Sequence, residues 1–338
     1  MEKTDRPSGA SPSPSEEGEV RAWLYDVDGS DSPVAFDASH LPDLGDRQIL
    51  WVDVDLQATG SLSGLWDDLG LRDHVSGLGN SGQRPQVISH DEFLHLTVYA
   101  LNDDPEDFRP MILHCVVGRN WIITLHHGDL DLVDRFNEPL VGETRLGQLS
   151  APAFLATVLD WQLNSFFHVI EELHTGIDRL DEELLKHELH GPGLLDRLVA
   201  MRRRVRQLRT TLSPHREVFA LLGHPESEPM LGTDATPHYR QLADRLERAL
   251  DAVETAREMI VGSFDIFMTR TAQNTNDVMK RLTLASVLLL PAGVIAGIMG
   301  MNFKIGFFES PGMFWVVLAI MVLIAGLTLV VARRSKWI

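Results

Sequence analysis

The sequence predicts an α+β membrane protein, with a cytoplasmic α/β domain, a long helical hairpin, a stalk helix and two C-terminal transmembrane helices. Three observations predict this class. Residues 282–299 and 314–332 carry no charged side chain, and each segment is just long enough to cross about 30 Å of hydrocarbon as a helix. Short runs rich in β-branched and aromatic residues fill the first third of the chain. Apolar residues then recur every three or four positions, which is helical spacing.

The composition narrows the possible functions. The 338 residues include 48 Asp and Glu against 30 Lys and Arg, which gives a formal net charge of −18. A nucleic-acid-binding protein needs a basic face, so this balance argues against nucleic acid as a partner. The single cysteine, Cys115, excludes an internal disulfide and a thiolate metal cluster, and it fits a reducing compartment.

The two ends of the chain predict its orientation. Residues 1–20 are rich in Ser, Pro and Glu, which predicts a disordered tail rather than a secretory signal. Lys280 and Arg281 precede the first span, and the basic tail 333–338 follows the second. The positive-inside rule therefore predicts a multi-pass protein of the cell membrane, with both termini in the cytoplasm and the connector 300–313 outside.

Residues 21–150 are predicted to form the α/β domain. Asn, Asp, Gly and Pro separate its β-type runs, and Gly118-Arg119-Asn120 predicts a hairpin turn between the last two. Two segments, Leu62–Leu69 and Leu130–Leu140, are predicted to be helical. The strands are predicted at Ala22–Tyr25, Ile49–Asp55, Gln86–Ile88, Phe93–Leu101, Met111–Val117 and Trp121–His126.

Residues 151–235 are predicted to form an antiparallel helical hairpin. Apolar residues from Leu155 to Leu184 define one long amphipathic helix, which stops at the breaker His190-Gly191-Pro192-Gly193. A second helix follows, with its apolar face running from Leu195 to Leu212. The stretch Gly223–Thr236, rich in Pro, Gly and Glu, is predicted to be a loop.

Residues 236–299 are predicted to form a stalk helix that continues into the first transmembrane helix, because no breaker occurs before Pro291. At 1.5 Å per residue such a helix is roughly 90 Å long. Its apolar seam resembles that of a coiled coil, so we expect self-association; the alternative is that the seam packs on the hairpin of its own chain. The seam consists of Leu242, Leu246, Ala249, Val253, Ala256, Ile260, Ser263 and Phe267.

A second stripe follows heptad spacing inside the first span and uses a different face of the helix. One copy of this stripe in each chain of a symmetric ring would enclose a narrow pore, in which the apolar side chains form constrictions and the polar ones offer oxygens. The alternative is a packing face of small residues. The stripe consists of Asn276, Met279, Leu282, Ser286, Leu290, Gly293 and Gly297.

The first span ends in Gly300-Met301-Asn302, and Asn276-Asp277-Val278-Met279-Lys280 opens it. With this tripeptide at the outer end of the first of two C-terminal spans, after a stalk helix and an acidic α/β domain, the chain resembles the CorA family of divalent-cation transporters. The resemblance implies a homopentameric funnel in the lipid bilayer whose first spans line the pore. Gly300, Met301 and Asn302 would form the selectivity filter, with Asn302 offering its amide oxygen to a hydrated ion. Met279 and Leu282 would form the gate and Asn276 a polar ring at the inner end.

The resemblance implies Mg²⁺ as the transported ion, driven by the membrane potential, with no organic cofactor. Zinc with proton coupling is the alternative, since Lys304 comes directly after Phe303, close to the motif, and Pro311-Gly312 is similar to the connector of the ZntB-like branch. Glu309 would be the acidic residue of the connector that attracts cations.

Intracellular Mg²⁺ binds between subunits in this family, and Asp244, Glu247 and Asp251 are candidate ligands because they are acidic residues of the stalk, with no residue-by-residue match to the family's own ligands. Their alternation with arginines is equally typical of a solvated helix. The chain has no Ser/His/Asp or Cys/His arrangement of recognisable spacing, so it is not expected to be an enzyme. A membrane-anchored oligomeric scaffold or sensor is the competing class.

Overall fold

The computed structural model describes residues 20–26, 31–34, 44–45, 47–56, 84–101, 109–128, 130, 149–186, 193–301 and 311–334. The chain divides into two compact units. The first contains Met1–Arg179 and Leu195–Ile260, and the second contains Leu180–Leu194 and Val261–Ile338. The predicted helix Leu62–Leu69, and all of Leu130–Leu140 except its first residue, lie outside the described residues.

A seven-stranded mixed sheet forms the centre of the first unit, with the strand order β2-β1-β3-β7-β6-β5-β4. Strands β3 and β7 pair in parallel, and the other neighbours are antiparallel. All six predicted strands are present; the two-residue edge strand β2 was not predicted. The strands are β1 Val20–Asp26, β2 Ser32–Pro33, β3 Gln48–Asp55, β4 Gln86–Ser89, β5 Leu94–Leu101, β6 Pro110–Val117 and β7 Trp121–His126.

The predicted hairpin turn joins β6 to β7. Val117 pairs with Ile122, and the Gly118 N–H donates to the Trp121 carbonyl at 3.0 Å. A Cβ atom at position 118 would overlap the Trp121 ring, so this turn requires glycine.

Both faces of the central strands are buried. On one face, Leu50, Val52 and Val54 pack with Ile123 and Leu125. On the other face Trp51 lies edge-on to Phe154 of the first helix, with ring centroids 5.3 Å apart. Strand β3 therefore has six consecutive buried residues, as is typical of a strand in a parallel pair.

The predicted helical hairpin is present. Glu172 and Arg204 approach to 3.9 Å, and Gly176 lies beside the methyl group of Met201. As one number rises the other falls, so the two helices are antiparallel. The helices are α1 Ala151–Leu185, α2 Leu194–Leu212, α3 His215–Leu222, α4 Glu228–Leu231, α5 Thr236–Met299 and α6 Pro311–Arg334.

The stretch predicted as a loop at Gly223–Thr236 contains regular structure. A 3₁₀ turn covers Pro225–Ser227, and α4 follows at Glu228–Leu231. The prediction took its prolines as breakers. Each lies in the first two positions of its helical turn, where the missing N–H costs no hydrogen bond.

The long helix α5 runs for 64 residues with Pro291 inside it, which confirms the predicted continuous helix. The last helix, α6, begins at Pro311, three residues before the predicted second span. Both α5 and α6 are long and apolar enough to cross a membrane.

The expectation that the α5 seam drives self-association is wrong. The seam is already covered within one chain, where α1 runs parallel to α5: Asp160 pairs with Arg245, and His174 Nε2 donates to the Ala252 carbonyl at 3.1 Å. The alternative, packing on the chain's own hairpin, is correct for the first unit. The seam residues there are at most 3% exposed: Leu242, Leu246, Ala249, Val253, Ala256 and Ile260. In the second unit Ser263 is also buried, and Phe267 is half-buried.

Candidate functional site

The predicted pore stripe lies on the surface of α5 in the second unit. All of its residues are exposed, and three apolar side chains stand out: Met279 at 56%, Leu282 at 61% and Leu290 at 67%. A Cβ atom added at Gly293 or Gly297 would meet no atom within 4 Å. The stripe is therefore an uncovered face of α5. Its N-terminal part carries large apolar side chains, and its C-terminal part carries glycines with no neighbouring atoms.

A different face of the same helix is partly buried. Its residues recur every three or four positions, and so do the part-buried residues of α6. This spacing marks the side on which each span packs inside the second unit. At about 100° per residue, the pore stripe lies on the opposite side of α5 from this packing side. The packing residues are Leu284, Leu288, Ala292, Ile295 and Met299 on α5, and Val317, Met321, Ile324, Thr328 and Ala332 on α6.

The predicted filter begins where α5 ends. The Gly300 N–H donates to the Ala296 carbonyl at 2.9 Å, and the Met301 N–H donates to the Ile298 carbonyl at 3.2 Å. The change to an i→i−3 bond tightens the last turn. A Cβ atom at position 300 would lie 3.3 Å from the Ala296 oxygen, a close approach that favours glycine. Met301 is half exposed, whereas Asn302, Lys304 and Glu309 lie outside the described residues.

The stripe offers neutral oxygens. Ser286 Oγ donates to the Leu282 carbonyl at 3.0 Å, which uses its proton and leaves its lone pairs for a donor such as a water molecule. Asn276 is exposed at the N-terminal end of the stripe. Nearby, Lys280 Nζ donates to Asp277 Oδ1 at 3.0 Å, so that this cation is neutralised beside the stripe.

The candidate regulatory ligands are separate from this stripe, in the first unit. Asp244, Glu247 and Asp251 are all exposed on α5. Arg216 donates two hydrogen bonds of 2.7 Å to Glu247, and these bonds lower the pKa of the Glu247 carboxyl. Within the described residues, no three His, Cys, Asp or Glu side chains are grouped so that they could hold a metal ion.

The sequence did not reveal a buried polar network across the parallel strands. His126 Nε2 lies 3.3 Å from Asp53 Oδ2, while the Thr124 hydroxyl donates to the same carboxylate and accepts from Trp51 Nε1 at 3.0 Å. Burial acts to lower the pKa of His126, but the hydrogen bond and charge of Asp53 outweigh it, so the pKa is raised. Alternation of polar residues along β3 and β7 was the available signal, although it could not show that the two strands pair.

A second buried histidine joins the sheet to the helices. His215 Nε2 accepts the Tyr99 N–H at 2.9 Å, and its Nδ1–H donates to the Leu212 carbonyl at 3.2 Å. Gln162 of α1 donates to the Tyr99 carbonyl beside it. Burial lowers the pKa of His215 to about 4, so the ring is neutral and can act as both donor and acceptor.

Comparison with known proteins identifies the family. A model of the CorA-like Mg²⁺ transporter proteins matches residues 46–334, most of the chain. The chain belongs to the CorA family. A cobalt/magnesium transport protein CorA from Thermotoga maritima is 27% identical over 272 residues, which are 77% of this chain and 74% of the relative.

Two solved structures are similar along almost their whole length. The CorA magnesium transporter from Methanocaldococcus jannaschii has a TM-score of 0.77 at 21% identity, covering 95% of this chain and 99% of that one. Full-length CmaX has the same TM-score at 22% identity, covering 96% and 100%. These likenesses confirm the predicted CorA fold. Members of the CorA family are membrane transporters and not enzymes.

Proposed function

We propose that this CorA-family chain is a channel-like transporter that takes up Mg²⁺ through a pore formed by the first spans of a homo-oligomer, a pentamer by family resemblance. The observation that carries the proposal is the position of the pore stripe. It leaves a heptad-spaced face of α5 exposed, on the side away from the packing residues. Copies of the chain arranged around that face would enclose a path of alternating apolar and polar rings.

The chemistry of the stripe suits a hydrated cation. Mg²⁺ gives up its inner water shell reluctantly, so a selective site works best by hydrogen bonding to that shell. In the proposal Asn302 forms a ring of amide oxygens at the mouth, with Gly300 and Met301 shaping the turn and Glu309 attracting cations. Met279, Leu282 and Leu290 form constrictions, Asn276 and Ser286 provide oxygens, and Gly293 and Gly297 leave room.

The driving force in the proposal is the membrane potential. Moving two charges through 100 mV is worth about 4.6 kcal/mol, at about 2.3 kcal/mol per charge. The proposal places the protein in the cell membrane with both termini in the cytoplasm, because Lys280, Arg281, Arg333 and Arg334 flank the spans on one side. Asp244, Glu247 and Asp251 stay a predicted regulatory Mg²⁺ site, which would need ligands from a second chain.

The test is ion flux into proteoliposomes under an imposed inside-negative potential, read with a trapped Mg²⁺-sensitive dye. We expect uptake by the native chain and at least a tenfold loss in Asn302→Ala. The matched control is Asn274→Ala, which removes the same amide from an exposed position of α5 outside the stripe. Equal flux in both variants would contradict the Asn302 filter, and no flux in the native protein would favour the scaffold.

The same vesicles can be used to determine which ion is transported. Parallel measurements with Zn²⁺, Co²⁺ and Ni²⁺, with and without a pH gradient, separate Mg²⁺ uptake from proton-coupled zinc transport. Zinc flux that requires the pH gradient would replace the magnesium assignment.

A further inference from the structure

Helix α2 carries three exposed arginines on its outer face. At about 100° per residue, Arg202, Arg203 and Arg206 lie within one third of the helix circumference. Two other arginines of α2 form ion pairs within the chain: Arg204 approaches Glu172 at 3.9 Å, and Arg209 approaches Glu254 at 3.2 Å. In the described part of the chain, the three outer arginines form no ion pair.

This outer face carries an internal repulsion. Arg202 and Arg206 are four positions apart, and like charges at this spacing destabilise a helix by a few tenths of a kcal/mol. A chain with a net charge of −18 has many carboxylates that could relieve it, yet none of those described lies within ion-pair distance of this face. An acidic surface from outside the chain would complement it.

Helix α1 carries such a surface. Glu171 and Asp178 are exposed, on the side of α1 away from the buried Leu173 and Ile177. Within the described ranges neither carboxylate forms an ion pair. The first unit thus presents a basic face on one helix and an acidic face on its neighbour.

The two faces lie at the same level along the helices. Glu172 is level with Arg204, and Gly176 is level with Met201. Because α1 and α2 are antiparallel, the arginines at 202–206 are level with residues of α1 near 170–175, between or beside the two acids. A rotation about an axis parallel to these helices keeps every group at its level. Such a rotation therefore allows the basic face of one copy to meet the acidic face of the next at the same level.

We propose that Arg202, Arg203 and Arg206 of one chain pair with Glu171 and Asp178 of the neighbouring chain, in a head-to-tail contact between cytoplasmic units. A contact between two different faces closes into a ring when the rotation is right, whereas a contact between identical faces stops at a dimer. This inference rests on the homo-oligomer of the proposed function. Nucleic acid is a poor alternative occupant, since a chain of this net charge repels it.

The test is directional cross-linking in the full-length protein in lipid nanodiscs or vesicles. Two differently tagged chains are co-expressed, one with Arg203→Cys and the other with Asp178→Cys, and treated with a short bis-maleimide. The native Cys115 is fully buried, so it contributes little background. We expect a cross-linked dimer that carries both tags. The control replaces Asp178→Cys with Glu217→Cys, an exposed acid on α3, and should give at least fivefold less product.

Charge reversal provides the second arm. Arg202→Glu with Arg206→Glu should lower the yield of cross-link severalfold, and adding Glu171→Arg should restore it, because opposite charges again face each other. Same-tag dimers, or a yield unaffected by reversal, would overturn the proposed contact. Light scattering measures the oligomeric state, and it therefore separates failure of the proposed homo-oligomer from failure of the proposed contact. A monomer would defeat the homo-oligomer and the proposed pore together, whereas an oligomer without the mixed cross-link would defeat this contact alone.

Discussion

The two ends of helix α5 both carry an apolar face, but they differ in whether the chain itself buries that face. Between 242 and 260, the apolar side of the helix is buried by elements of its own chain. Between 276 and 300, apolar side chains such as Leu289 and Leu290 are about 70% exposed. The first end is stabilised by intramolecular packing, whereas these apolar side chains of the second end have no such cover within the described chain. A repeating apolar pattern therefore says that a face will be covered, but not by what.

The largest effect should distinguish these two ends with the same substitution. Leu246→Ala removes a side chain that is 1% exposed, so we expect the free energy of unfolding of the first unit to fall by about 2–5 kcal/mol. Leu290→Ala should leave that unfolding unchanged. Instead it should widen a proposed constriction and raise basal Mg²⁺ flux severalfold. Urea unfolding followed by tryptophan fluorescence, together with vesicle flux, measures both.

The expected contrast between the two ends of α5 would be contradicted if Leu290→Ala destabilised the first unit as much as Leu246→Ala. Exposed apolar residues in the second unit would then be part of the same cooperative core. Leu318→Ala, on the exposed side of α6, is a suitable control for the loss of an exposed apolar side chain outside the pore stripe.

A smaller effect should appear when the pH is lowered. Burial lowers the pKa of His95 and His215 to about 4 and that of His114 to about 3. The unfolded chain binds these protons first, near pH 6.5. The free energy of unfolding should therefore fall between pH 6.5 and 4, by up to about 1.4 kcal/mol per pH unit for each group.

His126 acts in the opposite direction, because its pKa is raised. Its contribution is fully present below pH 6.5 and is lost as the pH rises through its folded-state pKa. Urea titrations at pH 7.5 and 5.0 test the balance. His215→Gln should flatten the acidic loss, while His168→Gln, whose ring is 66% exposed, should not change it. An acidic loss that is the same in His215→Gln as in the native protein would contradict the assignment of a neutral buried ring at His215.

The smallest effect is expected on the surface of the first unit. Glu247→Gln breaks the ion pair with Arg216. The Glu247 side chain is 49% exposed and the Arg216 side chain is 57% exposed. Solvent-screened pairs contribute little, so unfolding should shift by no more than about 0.5 kcal/mol. If cytoplasmic Mg²⁺ nonetheless closes the native transporter and fails to close this variant, Glu247 belongs to the predicted regulatory site. Unchanged inhibition would remove it from that site.

Local sequence patterns predicted most of the helices and strands, but they did not predict which elements that are distant in sequence pack together. The run Trp121–His126 was predicted to its ends, because β-branched residues and the Gly118 turn define it locally. The same residues did not reveal that Thr124 and His126 lie beside Asp53, since that depends on β7 pairing in parallel with a strand about 70 positions earlier. The sequence left two alternatives for the cover of the α5 seam, and self-association was wrongly preferred, for the same reason: heptad spacing specifies one apolar face and leaves its partner open.

The candidate site shows the same division. The stripe from Asn276 to Gly297 was read from spacing alone, and the structure places it on one exposed side of a helix. Its role as a pore stays a prediction, because a pore requires several copies of the chain and the sequence of one chain does not give their number. Asn302 was selected by resemblance to the family, and no local pattern would have distinguished it from Asn274.

The buried seam of α5 also has a consequence for biosynthesis. The core of the first unit is completed only by residues up to Ile260, and the first apolar span begins at Leu282. The sheet and the hairpin therefore emerge from the ribosome with their apolar surface still bare. By the time the seam arrives to close it, the signal for insertion is already being translated, so folding and delivery to the bilayer take place together.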